Sequence, residues 1–465
     1  MEVVRSLAPD VTEAIGFDLT SFAATLNGTV ILPGDEAYDA ARQIRSTAAD
    51  KRPTLIVRAA DASDVARTVA LAAETGLELA VRSGGHSLAA HSTSDGGIVL
   101  DLSPMKGILI DPARRLAWVQ PGLTAGEITS ALSDHGLAIP FGDTASVGVG
   151  GITTGGGIGF LARKYGLSID NLAAAEIVTA DGRLLTIDDA RHPDLFWAVR
   201  GGGGNFGVIT RFVFRLVPVS NVVGGGLVLP ATPEVLAGLA AAADAAPDDL
   251  TTITFVMHAP PAPFIPEHRV GELVAMILAV FDGGEEDATA AFAPFRALAE
   301  PVADLIGPMP YPAIYQFTAE AEARAAEVVR SFMTDEIDLA FARTIVDHLE
   351  RATSPAGMVQ IRVFGGEMGR VPSGATAFAH RDAKVLFTVI TPYEGDPEHH
   401  VAWTTALYEA LVPRATGAYV NFLESEGDDR IREAYPGGTY DRLAAIKRRY
   451  DPSNVFRLNQ NIKPV

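Results

Sequence analysis

The sequence predicts an α+β protein of two domains, and three observations support this prediction. At 465 residues the chain is too long for one small core, and its length suits two domains of roughly 150–250 residues each. In the first part, short apolar runs alternate with helix-like segments. From about Val219 the pattern changes to strands interrupted by a proline-rich loop at residues 259–266. We therefore place one domain at 1–218, to which residues 419–465 return, and a second at 219–418.

The first domain starts with strands and helices in alternation. We expect a helical lead-in within residues 1–50, with a strand at 28–32 and a helix at 35–45. Asp61 precedes an alanine-rich periodic run, which is typical of a helix start. The pattern further predicts strands at 54–58, 77–81, 97–101 and 116–120, a helix at 126–136, a hairpin over 174–187 and a strand at 208–217.

Further helices and a loop are predicted in the second domain and the tail. Helices are expected at 285–298 and 320–331, with a proline-marked loop at 301–311 between them. The last predicted helix spans 439–450, and Asp451-Pro452 ends it. We expect the tail after this helix to lie back on the first domain.

The composition excludes several classes of protein. Lys and Arg number 37 against 57 Asp and Glu, and the resulting net charge of −20 argues against nucleic acid or an anionic membrane as partner. Without cysteine the chain forms no disulfide, and we predict no metal site. The first residues lack the pattern of a signal peptide and no apolar run suits a bilayer, so we expect a soluble, cytoplasmic protein. The oligomeric state stays open, a homo-oligomer included.

Two glycine-rich stretches predict a ligand site. Arg82-Ser83-Gly84-Gly85-His86-Ser87 follows an apolar strand, and glycines at such a turn let backbone N–H groups approach phosphate oxygens. Residues 142–159 contain eight glycines, which cost conformational entropy unless the backbone must pass close to a flat or charged group. A dinucleotide meets that need, and we expect both stretches to lie over it.

A nicotinamide dinucleotide is the weaker interpretation. Gly202, Gly204 and Gly207 satisfy the G-x-G-x-x-G pattern. In a Rossmann fold this pattern follows a strand and opens a helix, whereas here it precedes the strand at 208–217.

Together these motifs resemble the p-cresol methylhydroxylase/vanillyl-alcohol oxidase (PCMH-type) flavoproteins, in the berberine bridge enzyme-like branch. The matching pieces are RSGGHS at 82–87, the glycine run continuing to Asn171, DLFWAVRGGGGNFGVIT at 194–210 and YDPSNVFRLNQNI at 450–462. The resemblance implies a PCMH-type FAD-binding domain and a substrate domain whose antiparallel sheet, backed by helices, roofs the flavin. It also implies FAD as cofactor, commonly bonded covalently through the histidine that matches His86.

The resemblance also assigns cofactor-binding positions, which lie in loops of the first domain, in one segment after the second domain and in the tail. These residues are Arg82, Ser83, Gly84, Gly85, His86, Ser87, Gly142, Thr144, Val147, Gly148, Gly150, Gly151, Gly155, Gly156, Gly159, Gly207, Val208, Ile209, Tyr419, Asn459 and Asn461.

Three positions in the glycine-rich stretch bear on the flavin chemistry. Thr144 stands where many relatives have a second flavin-linking cysteine, so only one covalent bond, through His86, is expected. Ile152 replaces a frequent histidine and cannot donate a hydrogen bond to reduced flavin. Relatives that react fast with oxygen tend to have valine where Val147 stands, which favours an oxidase.

The candidate catalytic residues are Tyr419, Asn421 and Glu367. Tyr419-Val420-Asn421-Phe422 resembles a Tyr-x-Asn-Tyr strand of the family, with Tyr419 as proton acceptor or substrate hydrogen-bonding group and Asn421 in contact with flavin or substrate. Phe422 lacks the second hydroxyl. Glu367 is the weaker candidate for a base because it occupies a turn, and a neutral amine substrate would require no strong base.

We therefore expect a flavin-dependent oxidase that takes a hydride from an alcohol, a sugar lactol or a C–N bond and reduces oxygen to hydrogen peroxide. The alternatives are a dehydrogenase with another acceptor and a binding protein without turnover. His380-Arg381 is expected to be a structural pair at a turn. The side chains that could line an apolar substrate pocket are Phe255, Met257, His258, Tyr311, Tyr315 and Phe317.

Overall fold

The computed structural model describes residues 17–352, 354 and 356–465, with the side chains of 320 and 321 excepted. Most of the expected helical lead-in lies outside the described residues. The first described helix begins at Leu19.

The first part of the chain forms a small mixed sheet and a larger antiparallel sheet. The small sheet has the order β1-β2-β4-β3, in which β2 and β3 run parallel to β4. The larger sheet has the order β5-β6-β10-β8-β9, and β7 pairs with β11. The strands are β1 Thr29–Ile31, β2 Leu55–Arg58, β3 Leu79–Arg82, β4 Ile98–Asp101, β5 Ile108–Asp111, β6 Leu116–Val119, β7 Leu137–Ala138, β8 Leu172–Val178, β9 Leu184–Ile187, β10 Val208–Arg215 and β11 Val217–Pro218.

Seven helices of the described chain accompany these strands. The Asp61 side chain accepts from two backbone N–H groups and caps α3, as the sequence predicts. The helices are α1 Leu19–Thr25, α2 Tyr38–Ala41, α3 Ala62–Thr75, α4 Ala125–Ser133, α5 Val149–Gly155, α6 Ala162–Tyr165 and α7 Pro193–Val199.

The middle of the chain forms a large antiparallel sheet with the order β15-β12-β14-β13-β18-β19-β17, and β16 pairs with β12. Its strands are β12 Asn221–Pro230, β13 Leu250–His258, β14 Leu273–Phe281, β15 Ala303–Asp304, β16 Gly307–Pro310, β17 Ala326–Thr334, β18 Met358–Val363 and β19 Val385–Tyr393. The accompanying helices are α8 Pro233–Ala245, α9 Glu285–Arg296, α10 Leu339–Leu349, α11 Glu367–Arg370 and α12 Glu398–Leu411.

Strict alternation along β18 and β19 decides which side chains face the helices. Val359 and Ile361 of β18, and Phe387 of β19, pack into one core with α8, α9, α10 and α12. The intervening side chains point to the opposite face, because successive residues of a strand point to opposite sides. One face of the sheet is therefore helix-backed and the other is free to bound a cavity.

The chain then returns to the first part through α13 Asp428–Ala434 and α14 Thr439–Tyr450. Side chains of both helices share one buried core with the antiparallel sheet β5-β6-β10-β8-β9. The predicted helix at 439–450 is confirmed, and the chain leaves it at Asp451.

Three predictions of local structure are wrong. Residues 320–331 do not form one helix, because the 3-10 segment Tyr311–Glu322 ends within them and β17 begins at Ala326. The nine-residue pairing of β17 with β19 outweighs the helix propensity of the alanines and glutamates in 320–327. Of the helix expected at 35–45 only Tyr38–Ala41 is helical. The segment expected as a strand at Tyr419 is a 3-10 turn at Val420–Phe422.

Buried polar contacts join the two parts of the molecule. Both terminal nitrogens of Arg381 lie 2.8 Å from the carboxylate oxygens of Asp170, and both side chains are almost fully buried. His380 bonds the carbonyl oxygen of Glu433 at 2.8 Å. The expected structural role of His380-Arg381 is confirmed, and the pair holds the large sheet against the first part.

Within the described residues, no helix is both long enough and apolar enough to cross a bilayer. No group of three His, Cys, Asp or Glu in that part of the chain is arranged to hold a metal ion.

Candidate cofactor and substrate site

A cavity of about 1040 Å³ lies between the glycine-rich loops and the free face of the large sheet. Ligand pockets measure about 300–1000 Å³, so this volume suits a large cofactor together with a substrate. The predicted cofactor residues that line it are Ser83, Gly84, Gly85, His86, Ser87, Gly142, Thr144, Val147, Gly148, Gly150, Gly151, Gly207, Val208, Ile209, Tyr419 and Asn459.

The two glycine-rich stretches cross each other in backbone contact. A Cβ at Gly84 would overlap the backbone nitrogen of Gly148, and a Cβ at Gly148 would overlap that of Gly84. The Ser83 hydroxyl fixes the crossing, because it donates to the carbonyl of Pro121 at 2.6 Å and accepts from the Gly150 N–H at 3.2 Å. Both positions therefore require glycine, and both stretches bound the same cavity.

Three successive backbone N–H groups at this crossing are free. Those of Gly84, Gly85 and His86 donate to no group in the described part of the chain, and Gly85 has φ of +73°. Adjacent N–H groups around a left-handed residue form a concave donor site for an anion. The loop thus fits the pyrophosphate of a dinucleotide.

His86 faces the cavity as a neutral imidazole. Burial, and to a smaller extent the charge of Arg45, lower its pKa to about 4. Its Nε2 lies 3.1 Å from the hydroxyl of Ser146. Nδ1 forms no hydrogen bond with the described residues and is available to a ligand.

The tail supplies a further wall, and a buried ion pair fixes it. The Lys447 ammonium, fully buried, bonds the Asp451 carboxylate at 2.6 Å and the carbonyls of Asn205 and Phe456. The same carboxylate accepts from the N–H of Phe456 at 2.9 Å. Beyond this anchor, Asn459 lines the cavity with a buried Oδ1 that has no partner among the described residues. An unpaired buried acceptor is costly, so this oxygen fits a donor on a ligand.

Tyr419 and Asn421 are adjacent in the cavity. The Tyr419 hydroxyl accepts from the N–H of Gly157 at 3.1 Å and from the Asn421 side-chain nitrogen at 3.0 Å. Its own proton is therefore free to be donated. Burial raises the pKa of Tyr419 above its ordinary value, although the two hydrogen bonds oppose the rise. The phenol is neutral at pH 7.

Three predicted glycines have a packing role. Gly155 and Gly156 do not line the cavity. Instead they lie under the polar side chains, since a Cβ at Gly155 would overlap the Asn421 amide and one at Gly156 would press on the Tyr419 ring. A Cβ at Gly159 would overlap the carbonyl oxygen of Phe141. Two of these glycines thus make room for the polar side chains above them.

Three other predicted site residues also lie outside the cavity lining. Arg82 is buried and pairs with Asp101 at 2.9 Å. Asn461 is half-buried, and its buried Oδ1 has no partner in the described structure. Glu367 pairs with Arg370 at 2.9 Å on a half-exposed helix. We do not propose Glu367 as the base.

Sequence reasoning missed a polar cluster on the free face of the large sheet. Arg362 and Gln360 of β18 line the cavity and are both about 95% buried. Arg362 lies 2.9 Å from the carboxylate of Asp143, which belongs to the glycine-rich stretch. It also donates to Gln360 at 2.9 Å and stacks over the ring of Phe422. The sequence signal that could have revealed this cluster is the alternation of polar and apolar side chains in MVQIRV at 358–363.

Apolar side chains surround this polar cluster. Among the six residues expected in the pocket, Phe255, Met257, His258 and Phe317 line it, whereas Tyr311 and Tyr315 are buried outside it. The Tyr315 hydroxyl bonds the carbonyl of Gly142 at 3.2 Å and so supports the glycine-rich stretch from behind.

Comparisons with known proteins agree with this geometry. Residues 53–188 match a family described as FAD binding domain, and residues 418–463 match a family described as berberine and berberine like. The chain is 34% identical to (R)-6-hydroxynicotine oxidase of Paenarthrobacter nicotinovorans over 456 residues, which cover 95% of this chain and 97% of that protein. It is 28% identical to xylooligosaccharide oxidase of Thermothelomyces thermophilus, with 89% and 87% covered.

The fold has solved relatives too. The crystal structure of 6-hydroxy-D-nicotine oxidase from Arthrobacter nicotinovorans superposes with a TM-score of 0.85 at 32% identity and covers 95% of this chain and 99% of that one. The expected PCMH-type α+β fold and the FAD cofactor are confirmed. The chain belongs to the berberine bridge enzyme-like branch of the FAD-linked oxidoreductases.

Proposed function

We propose that the protein is an oxidase that holds FAD through a single covalent bond to His86 and oxidises a small-molecule alcohol, sugar lactol or C–N compound at the expense of oxygen. The observation that carries the proposal is the neutral His86 imidazole, whose Nδ1 is open to the cavity beside the free N–H groups of Gly84 and Gly85. A neutral imidazole nitrogen is a nucleophile, whereas a protonated one is not.

The bound FAD supplies a two-electron acceptor for hydride and passes the electrons to oxygen, which gives hydrogen peroxide. The protein residues bind the cofactor and orient it. The free N–H groups of the Gly84 loop would hold the pyrophosphate, and the open Asn459 oxygen would accept from a ring N–H. Ser146 would keep Nε2 of His86 occupied, so that Nδ1 is the attachment atom.

Tyr419 serves as a hydrogen-bonding group in this proposal. Because burial keeps the phenol neutral, it donates its proton to an oxygen or nitrogen of the substrate. Asn421 and the Gly157 N–H hold the hydroxyl in place, and a fixed donor near the reacting carbon is what hydride transfer needs.

Attachment is tested on acid-precipitated, washed protein. We expect a yellow pellet and a peptide containing His86 whose mass is increased by one FAD. His86→Ala should release all flavin into the supernatant, whereas the matched variant His91→Ala, at the other histidine of the same loop that lines the cavity, should keep it bound. Free flavin from the wild-type protein would contradict the covalent bond and leave FAD as a non-covalent cofactor.

The use of oxygen is tested separately. Val147 lines the cavity, and one added methylene there would obstruct the approach of a diatomic gas. The reduced protein should be reoxidised within seconds in air with one hydrogen peroxide per flavin, and Val147→Leu should slow this step at least tenfold. A wild-type flavin that stays reduced for minutes in air would select the alternative, a dehydrogenase with another acceptor.

A further inference from the structure

We infer that the ion pair of Asp143 and Arg362 is the hydroxyl-binding site for an apolar alcohol, and that Asp143 is the catalytic residue that accepts the hydroxyl proton. The inference rests on the proposed oxidase function and narrows its substrate class. Three observations carry it: the free bonding capacity of the pair, the state of the other carboxylate in the cavity, and the apolar surface around both.

The Asp143–Arg362 ion pair has one acceptor atom and further donor atoms that form no hydrogen bond within the described structure. Asp143 uses Oδ2 for Arg362, while Oδ1 forms no hydrogen bond with the described residues. Arg362 uses Nε and Nη2, and its Nη1 has no partner within the described structure. The side-chain nitrogen of the neighbouring Gln360 is likewise unbonded there. A hydroxyl group both donates and accepts, so it matches this arrangement, with its proton on Oδ1 and its lone pairs facing Nη1.

The other carboxylate in the described lining of the cavity is Glu327, and it is fully engaged. Both of its oxygens bond the guanidinium of Arg45. A substrate ammonium therefore finds no carboxylate without a counterion among the described lining residues. A substrate carboxylate likewise finds no uncompensated positive charge at Arg362, because the charge of Arg362 is already balanced by Asp143. The electrostatics favour a neutral substrate.

The register of the sheet sets the surroundings of the pair. Gln360 lies between Phe255 and Thr388 across neighbouring strands, and Arg362 lies opposite Leu386. The neighbouring row of the sheet consists of apolar side chains, namely Met257, Met358 and Ile390, and all three line the cavity. A molecule with one hydroxyl on an aromatic or branched body matches this arrangement, and the Met257, Met358 and Ile390 side chains offer no hydrogen-bond partner to further hydroxyls on that body.

The alcohol C–H bond breaks with its electron pair as hydride moves to the acceptor of the proposed function, the O–H electrons form the carbonyl, and the proton goes to Oδ1 of Asp143. That proton is consumed when oxygen becomes hydrogen peroxide. Overall, one alcohol and one oxygen give one carbonyl compound and one hydrogen peroxide.

Binding is tested by calorimetry on the holoenzyme with phenol and anisole, which share an aromatic body and carry no carbinol C–H. Phenol can donate to Oδ1, but anisole cannot. We expect the wild-type protein to bind phenol about tenfold more tightly, and D143N to abolish this difference while anisole binding changes less than twofold. If the preference for phenol persists in D143N, Asp143 does not receive the hydroxyl.

Chemistry is tested by anaerobic reduction of the flavin with benzyl alcohol. D143N should slow reduction at least 100-fold, because proton acceptance contributes about 10²–10⁴ to such a rate. The control E327Q removes the other cavity carboxylate but preserves its hydrogen-bonding shape, and its rate should stay within threefold of wild type. Equal rates for D143N and wild type overturn the role of Asp143, and faster reduction by benzylamine or cellobiose than by benzyl alcohol overturns the substrate class.

Two further measurements keep these outcomes interpretable. If D143N is unstable because Arg362 has lost its counterion, the charge-balanced variant D143N/R362Q should show the same loss of preference for phenol. Absence of flavin, or a flavin that oxygen does not reoxidise, refutes the oxidase function by itself. The comparison of phenol with anisole requires no turnover and still decides the role of the pair.

Discussion

The two walls of the cavity are built on different principles. The wall predicted to hold the cofactor is made of backbone: Gly84 and Gly148 touch through their main chains, and the binding groups are free N–H donors. The wall predicted to hold the substrate is made of side chains on two strands, with Gln360 and Arg362 standing among Met and Phe residues. Backbone can be placed precisely but offers little variety, whereas side chains on a regular sheet can be exchanged without moving it.

This difference explains how one fold can keep its cofactor and vary its substrate. A row of a β-sheet accepts a new side chain at fixed geometry, since successive residues alternate between the two faces. A crossing of two glycines accepts nothing larger, since any Cβ would overlap backbone. We therefore expect mutations in the two walls to differ in severity.

The largest effect is expected for one added carbon in the cofactor wall. Gly84→Ala places a Cβ on the backbone of Gly148, so the two stretches must separate and the flavin site is lost. Purified Gly84→Ala should contain less than a tenth of the wild-type flavin, measured as the ratio of absorbance at 450 and 280 nm. The control Gly307→Ala has no atom within 4 Å of the added carbon and should keep a full complement. Normal flavin content in Gly84→Ala would refute the backbone principle.

The second effect concerns the contact that holds the two walls together. Arg381→Met leaves Asp170 buried without its partner, and breaking a buried pair in this way costs about 3–5 kcal/mol. Urea denaturation should show this loss in free energy of unfolding. The control Lys463→Ala removes an exposed pair with Asp428 and should change the transition little. If both variants unfold at the same urea concentration, Arg381 is not essential to the contact between the two parts of the molecule.

A moderate effect is expected for the loss of a single hydroxyl, that of Tyr419 in the cavity. Tyr419→Phe removes the donor to the substrate and should slow anaerobic flavin reduction about tenfold, the value of one hydrogen bond of about 1–1.5 kcal/mol. Flavin content should be unchanged. Tyr311→Phe is the matched control, because the Tyr311 hydroxyl is buried outside the cavity lining. An unaltered rate in Tyr419→Phe would remove this hydroxyl from the reaction.

The smallest effect is a dependence of stability on pH at His91, which lines the cavity. Burial, assisted by the charge of Lys51, lowers the pKa of His91 to about 4, against about 6.5 in an unfolded chain. The unfolded state therefore binds more protons between pH 6.5 and 4, and stability falls as the pH drops through this range. His91→Gln should match the wild-type Tm at pH 8 and exceed it by a few degrees at pH 5. A difference that does not change with pH would contradict the assignment.

Local sequence patterns predicted much of the first part of the molecule and of the tail. The Asp61 cap and the helix Thr439–Tyr450 follow from short-range rules and occur as expected. Patterns failed where pairing partners lie far away in sequence. Residues 326–331 carry helix-forming alanine and glutamate nearby, but β17 forms because β19, some sixty residues later, supplies the hydrogen bonds.

The candidate site shows the same contrast between features that local sequence patterns predict and features that depend on distant partners. Dense glycine next to a lone histidine predicted the cofactor wall from sequence alone, because few other arrangements justify the entropic cost of so many glycines. Asp143 and Arg362 escaped prediction because they lie 219 positions apart in the sequence, and only the facing of β18 brings them within 2.9 Å. The sequence by itself therefore determined the fold class and the FAD cofactor, and it predicted the position of the FAD site and its histidine. The tertiary structure decided which polar side chains share the substrate wall, because strand facing and register depend on contacts between distant segments.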